Sequence, residues 1–335
     1  MTVTMADIAR KAGCGIATVG RVIHGNGYVS GKVRERIEKA IAELGYVPDQ
    51  SARALKAQRS GIIGCLVLQS DNGLYYRIND EIIQAAEARG LTCIPLEAQK
   101  RGGEAALLQT MLGMHADGIV LISEPNVTDE HFALLRRFKT PVAAIERGYS
   151  EQGVDSLLVR DREAVQDAVG RMIRAGHRRV ALIAREPDMD VESRRLQGYL
   201  DALEAAGIEA DDALIRLCGD YTVSFGREAM EAMLALPEPP TAVMATADTL
   251  AAGVLQAAYA AGLRIPDDLS VCGYDNVLSQ ALSPAIDSVG LSLKGLGEKV
   301  LNLLEKRRKT PDAPPEILDI ETDYISRGTV TAPKA

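Results

Sequence analysis

From Gly61 onward the chain repeats a pattern that few architectures satisfy: a short apolar run, a helical stretch, then another apolar run. Gly61–Leu68 (GIIGCLVL), Leu91–Leu96, Gly118–Ile122 and Val142–Ile145 read as strands, with helices such as Asn79–Arg89 and Glu104–Met114 between them. The alternation resumes at Arg179–Ala184, Ala242–Ala245 and Ser270–Gly273. Strands separated by helices pair in parallel, so residues 60–330 predict an α/β fold with parallel sheets. Ligands of such sheets bind beyond the carboxyl ends of the strands, and two such lobes in one body place the site in the cleft between them.

The first sixty residues follow a different period. Thr4 and Asp7 form a capping-box-like start, after which Ile8, Ala9 and Ala12 make a helical stripe that stops at Gly13. A second helix is expected from about Ile16 to Ile23, with Val19, Val22 and Ile23 inward. Ser30 is expected to cap a third, striped by Val33, Ile37, Ile41 and Leu44 and stopped by Gly45. The spacing of Ala9, Gly13 and Val19 gives a small contact residue, a tight turn and an apolar anchor. Two helices that cross steeply need those three things, so the pattern predicts a helix-turn-helix whose second helix enters the major groove. Gly13 and Gly15 also begin a G-x-G, but Thr18 stands where a dinucleotide fingerprint needs its third glycine and no strand precedes it.

Charge separates the same two parts. The whole chain of 335 residues carries −8. Residues 1–60 hold ten Lys/Arg against five Asp/Glu, a net of +5, which leaves −13 for the remainder. A basic head on an acidic body suits a polyanion-binding end joined to a module that repels DNA.

The run MADIARKAG-x-GIATVGRVIHG, followed by YVS, RERI and AIAELGYVPDQSARALK, resembles the head of the LacI/GalR (lactose-repressor) family, and the likeness continues through nearly the whole chain. The resemblance implies a sequence-specific regulator of transcription, a repressor of a carbon-utilisation operon, that binds double-stranded operator DNA as a homodimer. It implies base reading by Ile16 and Ala17 with Thr18 and Arg21 beside them, Arg21 being the candidate for a bidentate guanine contact. Thr4, Gly15, His24 and Ser30 fall at further DNA-contacting positions. Pro48–Lys56 resembles a hinge helix, too short to be stable alone, in which Leu55 would wedge into a minor-groove base step with Ala52 and Lys56 beside it. Ala17 and Thr18 imply an operator like TGnAAnCGnTTnCA. Gly15 and Gly20 stand where family members usually carry serines, and His24 and Asp49 where they carry asparagines.

The resemblance extends to domains: 1–47 the helix-turn-helix domain, 48–59 the hinge helix and linker, and 60–330 a two-lobed effector domain like periplasmic binding proteins. Lobe one is expected at about 60–160 and 290–320, lobe two at about 161–288 and 321–329, with crossings near Arg160, Val289 and Glu321. The positions matching the family's cleft are Tyr75, Ser123, Glu146, Arg195, Tyr221 and Asp275. An arginine among acids and aromatic faces suits a sugar, sugar acid or derivative, because hydroxyls take charged partners and C–H faces stack on rings. Ala247 replaces a usual asparagine, and Arg147, Arg160 and Arg162 near the lobe junction leave an acidic ligand open, as a purine or other non-sugar metabolite also stays open.

Catalysis finds no support: neither a Ser/His/Asp arrangement nor a phosphate loop emerges, and His177 reads as a helix-end residue. The five cysteines are scattered and the four histidines do not neighbour them, so no metal site or cofactor is expected. Dispersed thiols and an N-terminus without a signal-peptide stretch suit the reducing cytoplasm, and no run of about 18 apolar residues offers a membrane span. The tail GTVTAPKA lacks leucine heptads, which predicts a dimer rather than a tetramer. A solute-binding protein and an α/β enzyme are the competing classes; the first needs export and the second a glycine-rich strand-to-helix turn.

Overall fold

The computed structural model describes residues 3–23, 25–46, 59–68, 73–98, 103–123, 127–186 and 190–334. The expected hinge segment, with Ala52, Leu55 and Lys56, and the turn residue His24 lie outside the described residues. The chain divides into two compact units, Met1–Ser60 and Gly61–Ala335.

Three helices build the first unit: α1 (Met5–Ala12), α2 (Ile16–Ile23) and α3 (Gly31–Leu44). Ile8, Ala9, Ala12, Val19, Ile37 and Ala40 close its core, with Val22, Ile23, Val33, Ile41 and Leu44 packed around them. All but Ala40 are residues of the three predicted stripes. At the start of α1 the Asp7 N–H donates to the Thr4 hydroxyl at 3.4 Å, and the Thr4 N–H donates to the Asp7 carboxylate at 3.0 Å. Gly13 ends the helix at φ +63°, a left-handed conformation that costs an L side chain roughly 1–2 kcal/mol. Ser30 differs from expectation. It occupies the N-cap of α3, yet its side chain makes no capping bond. The first turn is exposed, and the helix begins from the Ser30 carbonyl, which accepts from Val33 and Arg34.

The second unit contains two six-stranded sheets. Sheet one comprises β1 (Ile62–Leu68), β2 (Thr92–Ala98), β3 (Gly118–Ile122), β4 (Val142–Ile145), β5 (Asp155–Val159) and β11 (Ile317–Ile320), in the order β11-β5-β4-β3-β1-β2. Its faces are covered by α4 (Leu74–Ala88) with α11 (Leu296–Lys309), and by α5 (Glu104–Gly113) with α6 (Asp129–Phe138). Sheet two comprises β6 (Val180–Arg185), β7 (Ile215–Cys218), β8 (Ala242–Ala245), β9 (Ser270–Asp275), β10 (Asp287–Leu291) and β12 (Thr322–Ile325), in the order β12-β10-β9-β8-β6-β7. On it lie α7 (Asp161–Arg174) with α8 (Asp190–Ala205), and α9 (Val223–Leu234) with α10 (Asp248–Ala260). The last pair approaches closely: a Cβ on Gly253 would stand 2.1 Å from the Val223 carbonyl oxygen.

Three features depart from the expectations. Sheet one is parallel throughout, but β12 pairs antiparallel with β10, because the chain re-enters sheet two after only one residue and no crossover helix reverses it. The strand β10 continues to Leu291, so Val289 pairs with Tyr274 and Tyr324 inside sheet two; the second crossing comes at Ser292, and a lobe-one segment starting at residue 290 would cut the strand. The helix expected from Asn79 begins at Leu74, which puts Tyr75 in its first turn. The crossings are stitched together: the Ser292 N–H donates to the Glu321 carbonyl at 2.9 Å, and the Arg160 Nε donates to Asp319 at 2.9 Å.

All five cysteines are free thiols. Among the described residues no helix is long and apolar enough to cross a membrane, and no group of His, Cys, Asp and Glu is placed to hold a metal ion. His177 fixes the segment after β12. Its Nε2–H donates to the Thr331 carbonyl at 2.8 Å while Nδ1 lies 2.8 Å from the Thr241 hydroxyl. Burial holds its pKa below the ordinary histidine value, with the Thr331 carbonyl acting weakly in the other direction. The unfolded chain therefore binds an extra proton once pH falls below about 6.5, and the stability tied to this residue, complete above that pH, drains away as pH drops toward the lower folded pKa. As pH falls below about 6.5, urea unfolding should lose stability more steeply in the wild type than in His177→Gln, by up to about 1.4 kcal/mol per pH unit; equal slopes would contradict this.

Candidate functional site

In the first unit, α2 turns one face to its core and the other to solvent. Val19 is buried, whereas Gly15, Ile16, Ala17 and Arg21 are exposed and Thr18 is half-buried. Ile16 is 53% exposed. Positions 16, 17, 20 and 21 share one face by helical spacing. Arg21 forms no ion pair among the described residues, unlike Arg10 with Asp7 and Lys11 with Glu43. Thr4 and Ser30 are exposed at the starts of α1 and α3, where their helix termini favour an anion. The sequence reading named no role for Tyr28, which is 90% exposed in the segment between α2 and α3.

In the second unit, all six expected cleft residues, Tyr75, Ser123, Glu146, Arg195, Tyr221 and Asp275, line one small cavity with Leu74, Arg185, Val191 and Glu192. Local chain geometry explains the convergence. Ser123 follows β3, Glu146 follows β4, Arg185 ends β6 and Asp275 ends β9, so each projects from the carboxyl edge of a parallel sheet. Ser123, Glu146 and Asp275 all adopt positive φ, at 62°, 73° and 87°. Each such residue stores on the order of 1–3 kcal/mol, a strain that surrounding structure must enforce and that clusters where ligands are gripped. The free volume between the side chains is only about 10 Å³. That is roughly one water's worth, so a larger ligand requires the lobes to part.

One guanidinium organises the lobe-two side of the cavity. Arg195, 3% exposed, donates from Nε to Asp161 at 2.9 Å and from Nη1 to the Thr246 carbonyl at 3.0 Å, Tyr221 at 3.3 Å and Glu192 at 3.4 Å. Its guanidinium carbon lies 4.1 Å from the centre of the Tyr274 ring, and the Tyr274 hydroxyl donates to Asp161 at 2.9 Å. Burial works against the arginine's charge, but Asp161 and then Glu192 outweigh it and hold its proton more firmly than usual. Tyr221 donates its own proton to Glu192. On the other side the Ser123 hydroxyl donates to Tyr75 at 2.8 Å, while burial and then the Glu146 charge push the Tyr75 phenol well above its ordinary pKa. The lobes also touch directly. Arg194 Nη2 bridges the Glu146 carbonyl at 3.2 Å and Asp161 at 3.1 Å, and Arg77 donates to the Asn276 carbonyl at 3.1 Å.

Sequence reasoning missed Asp161, Glu192, Arg185 and Asp248. The signals were present for two of them: Arg185 closes an apolar strand at its carboxyl end, and Glu192 precedes Arg195 by three residues on one helix. Asp248 accepts from the N–H groups of Val277, Leu278 and Ser279 at 2.7, 2.8 and 3.0 Å, which pins the loop following Asp275. The neighbouring Ala247 is a buried N-cap without a side-chain bond. Arg147, Arg160 and Arg162 do not line the cavity; they meet Tyr149, Asp319 and Asp201 instead.

Residues 4–49 match bacterial regulatory proteins of the lacI family, and residues 169–330 match a periplasmic binding protein-like domain. The chain is 33% identical over 309 residues to catabolite control protein A of Priestia megaterium, covering 91% of this chain and 92% of that protein. The chain belongs to the lacI family. It is a DNA-binding regulator of transcription whose head is the three-helix unit. A solved complex of the transcriptional regulator CelR with cellobiose is 31% identical and superposes with a TM-score of 0.73, over 98% of this chain and 99% of that one. The Lac repressor dimer bound to operator and an anti-inducer, at 24% identity over 99% of this chain and 100% of that one, shares the fold with a TM-score of 0.83.

Within this family's head, Gly20 is an open position: a Cβ there would meet nothing within 4 Å. A glycine inside a helix costs roughly 0.8–1.0 kcal/mol relative to alanine. Gly20→Ala should therefore stabilise the head by up to about that amount, read as a higher urea midpoint for residues 1–60; an unchanged or lower midpoint would show a constraint that the free space does not reveal.

Proposed function

We propose that this regulator is a homodimeric, cytoplasmic repressor of a carbon-utilisation operon, controlled by a small carbohydrate or sugar-acid effector held in the cleft between its lobes. The observation that carries this reading is the convergence of Tyr75, Ser123, Glu146, Arg195, Tyr221 and Asp275 on one cavity from both sheets, three of them in left-handed backbone at strand ends. Hydroxyls of a sugar donate to Glu146 and Asp275 and accept from Arg195, and its C–H faces stack on Tyr75 and Tyr221. The cellobiose complex of a relative at 31% identity supports the same ligand class. The parting of the lobes that admits a ligand turns on the bridges made by Arg194 and Arg77, which lie between the sheets.

On the DNA side, Arg21 reads a guanine, Ile16 and Ala17 contact base methyls, and Gly15, Thr18, Thr4, Ser30 and His24 meet the backbone. Leu55, with Ala52 and Lys56, enters the minor groove when two copies pair. The domain division of the sequence reading, with a head to residue 47, a hinge to 59 and an effector body beyond, belongs to the same proposal. Ligand and operator are coupled through the relative stability of two lobe arrangements, a coupling that typically amounts to about 1–3 kcal/mol.

Site selection from random duplexes followed by gel shift tests the reading. The full chain should select a two-fold symmetric sequence. Arg21→Ala should weaken binding by about 1–3 kcal/mol and relax the preference at one base pair per half-site. A variant lacking residues 1–58 should lose DNA binding but keep a carbohydrate-dependent thermal shift. Selection of no symmetric sequence, or a thermal shift with none of a panel of sugars, sugar acids and purines, would contradict the corresponding half.

A further inference from the structure

We propose that Glu192 sets the charge of the ligand: it satisfies Arg195 from within the protein, so that the cleft accepts a neutral polyhydroxy compound and rejects the corresponding sugar acid. This deepens the effector reading above and rests on it. An arginine at the floor of a sugar cleft is ordinarily an invitation to a carboxylate, because a planar guanidinium and a carboxylate match in charge and shape. In this chain the place is already taken. Arg195 gives Nε to Asp161 at 2.9 Å, and its Nη1 faces the Thr246 carbonyl at 3.0 Å, Tyr221 at 3.3 Å and Glu192 at 3.4 Å. Glu192 is 1% exposed and also accepts the Tyr221 proton, so it is fixed by two elements of lobe two.

Charge balance points the same way. Among the described residues, the cavity is lined by two guanidiniums, Arg185 and Arg195, and three carboxylates, Glu146, Glu192 and Asp275, with the ion pair of Arg194 and Asp161 next to it. A ligand carboxylate would add a further negative charge beside these acids in an enclosure shielded from water, where like charges are strongly disfavoured. A hydroxyl adds none, and it can donate to a carboxylate while accepting from Arg195. The arginines that the sequence offered as an attraction for acids, Arg147, Arg160 and Arg162, are not among the described lining residues and meet Tyr149, Asp319 and Asp201. Glu192 is the acid in contact with Arg195 that also lines the cavity, so removing its charge is the smallest change that would admit an anion.

The test is calorimetric titration of the full chain with matched pairs, D-glucose against D-glucuronate and D-galactose against D-galacturonate, in the wild type and in Glu192→Gln. Glutamine keeps an oxygen to accept from Tyr221 and loses only the charge. The wild type should bind the neutral member of a pair more tightly, and the variant should shift the ratio toward the uronate by about tenfold or more, the effect expected of one charge within hydrogen-bonding range. A wild type that prefers the uronate, or a folded variant with an unchanged ratio, overturns the proposal while leaving the effector reading intact. Absence of binding to any of the four in the wild type counts against both. Should the variant lack a cooperative melting transition, the wild-type ratios decide alone.

Discussion

Arg195 is the interaction on which the effector body depends. A guanidinium shielded almost completely from water is tolerable only when acids and carbonyls meet it, and here they come from four separate segments: Asp161 at the start of α7, Glu192 on α8, Tyr221 after β7 and Thr246 after β8. The aromatic face of Tyr274, on β9, covers the cation. One charge thus ties together the loops at the carboxyl edge of sheet two. Asp161 is also the first residue beyond the crossing from lobe one, and through Arg194 it reaches the Glu146 carbonyl on the opposite sheet. The same group that shapes the cavity therefore also links it to the relation between the lobes.

Strain is distributed in a matching way. Ser123, Glu146 and Asp275 adopt backbone conformations that glycine would accept more readily, yet each is a polar side chain at the cavity. The loop beyond Asp275 is held by three backbone N–H groups on Asp248, an acid buried for that purpose rather than for contact with ligand. Binding groups that are fixed before a ligand arrives lose less freedom on capture.

Much of this was legible in the residues. The head's three stripes named its core because helical spacing and a small hydrophobic set leave little choice, and apolar runs such as GIVLI and VAAI matched β3 and β4 residue for residue. The strand DSLLV was harder. It opens on Asp155, a buried acid that reads as a loop residue until Arg307, far along the chain, is seen to pair with it at 2.6 Å. The crossing expected near Val289 falls at Ser292 for a related reason, since DSVGL is interrupted by polar and small residues whose partners lie on β9 and β12. Among cleft residues, those at positions matching the family were found, whereas Arg185, at the end of β6, was not. Glu192 and Asp161 were not, because each acts through a guanidinium rather than through a pattern of its own. Ser30 shows the converse: a favourable capping residue in sequence whose hydroxyl the fold leaves unused.

On the proposed function, occupancy of a cavity built around Arg195 and occupancy of DNA by the head are two readings of one equilibrium. Thermodynamic linkage makes this testable without knowing which arrangement binds DNA. With the selected operator and the tightest-binding sugar, the factor by which saturating sugar changes operator affinity should equal the factor by which saturating operator changes sugar affinity, at about 5–150-fold. Sugar affinity that is the same with and without operator, in a protein shown to bind both, would contradict the account.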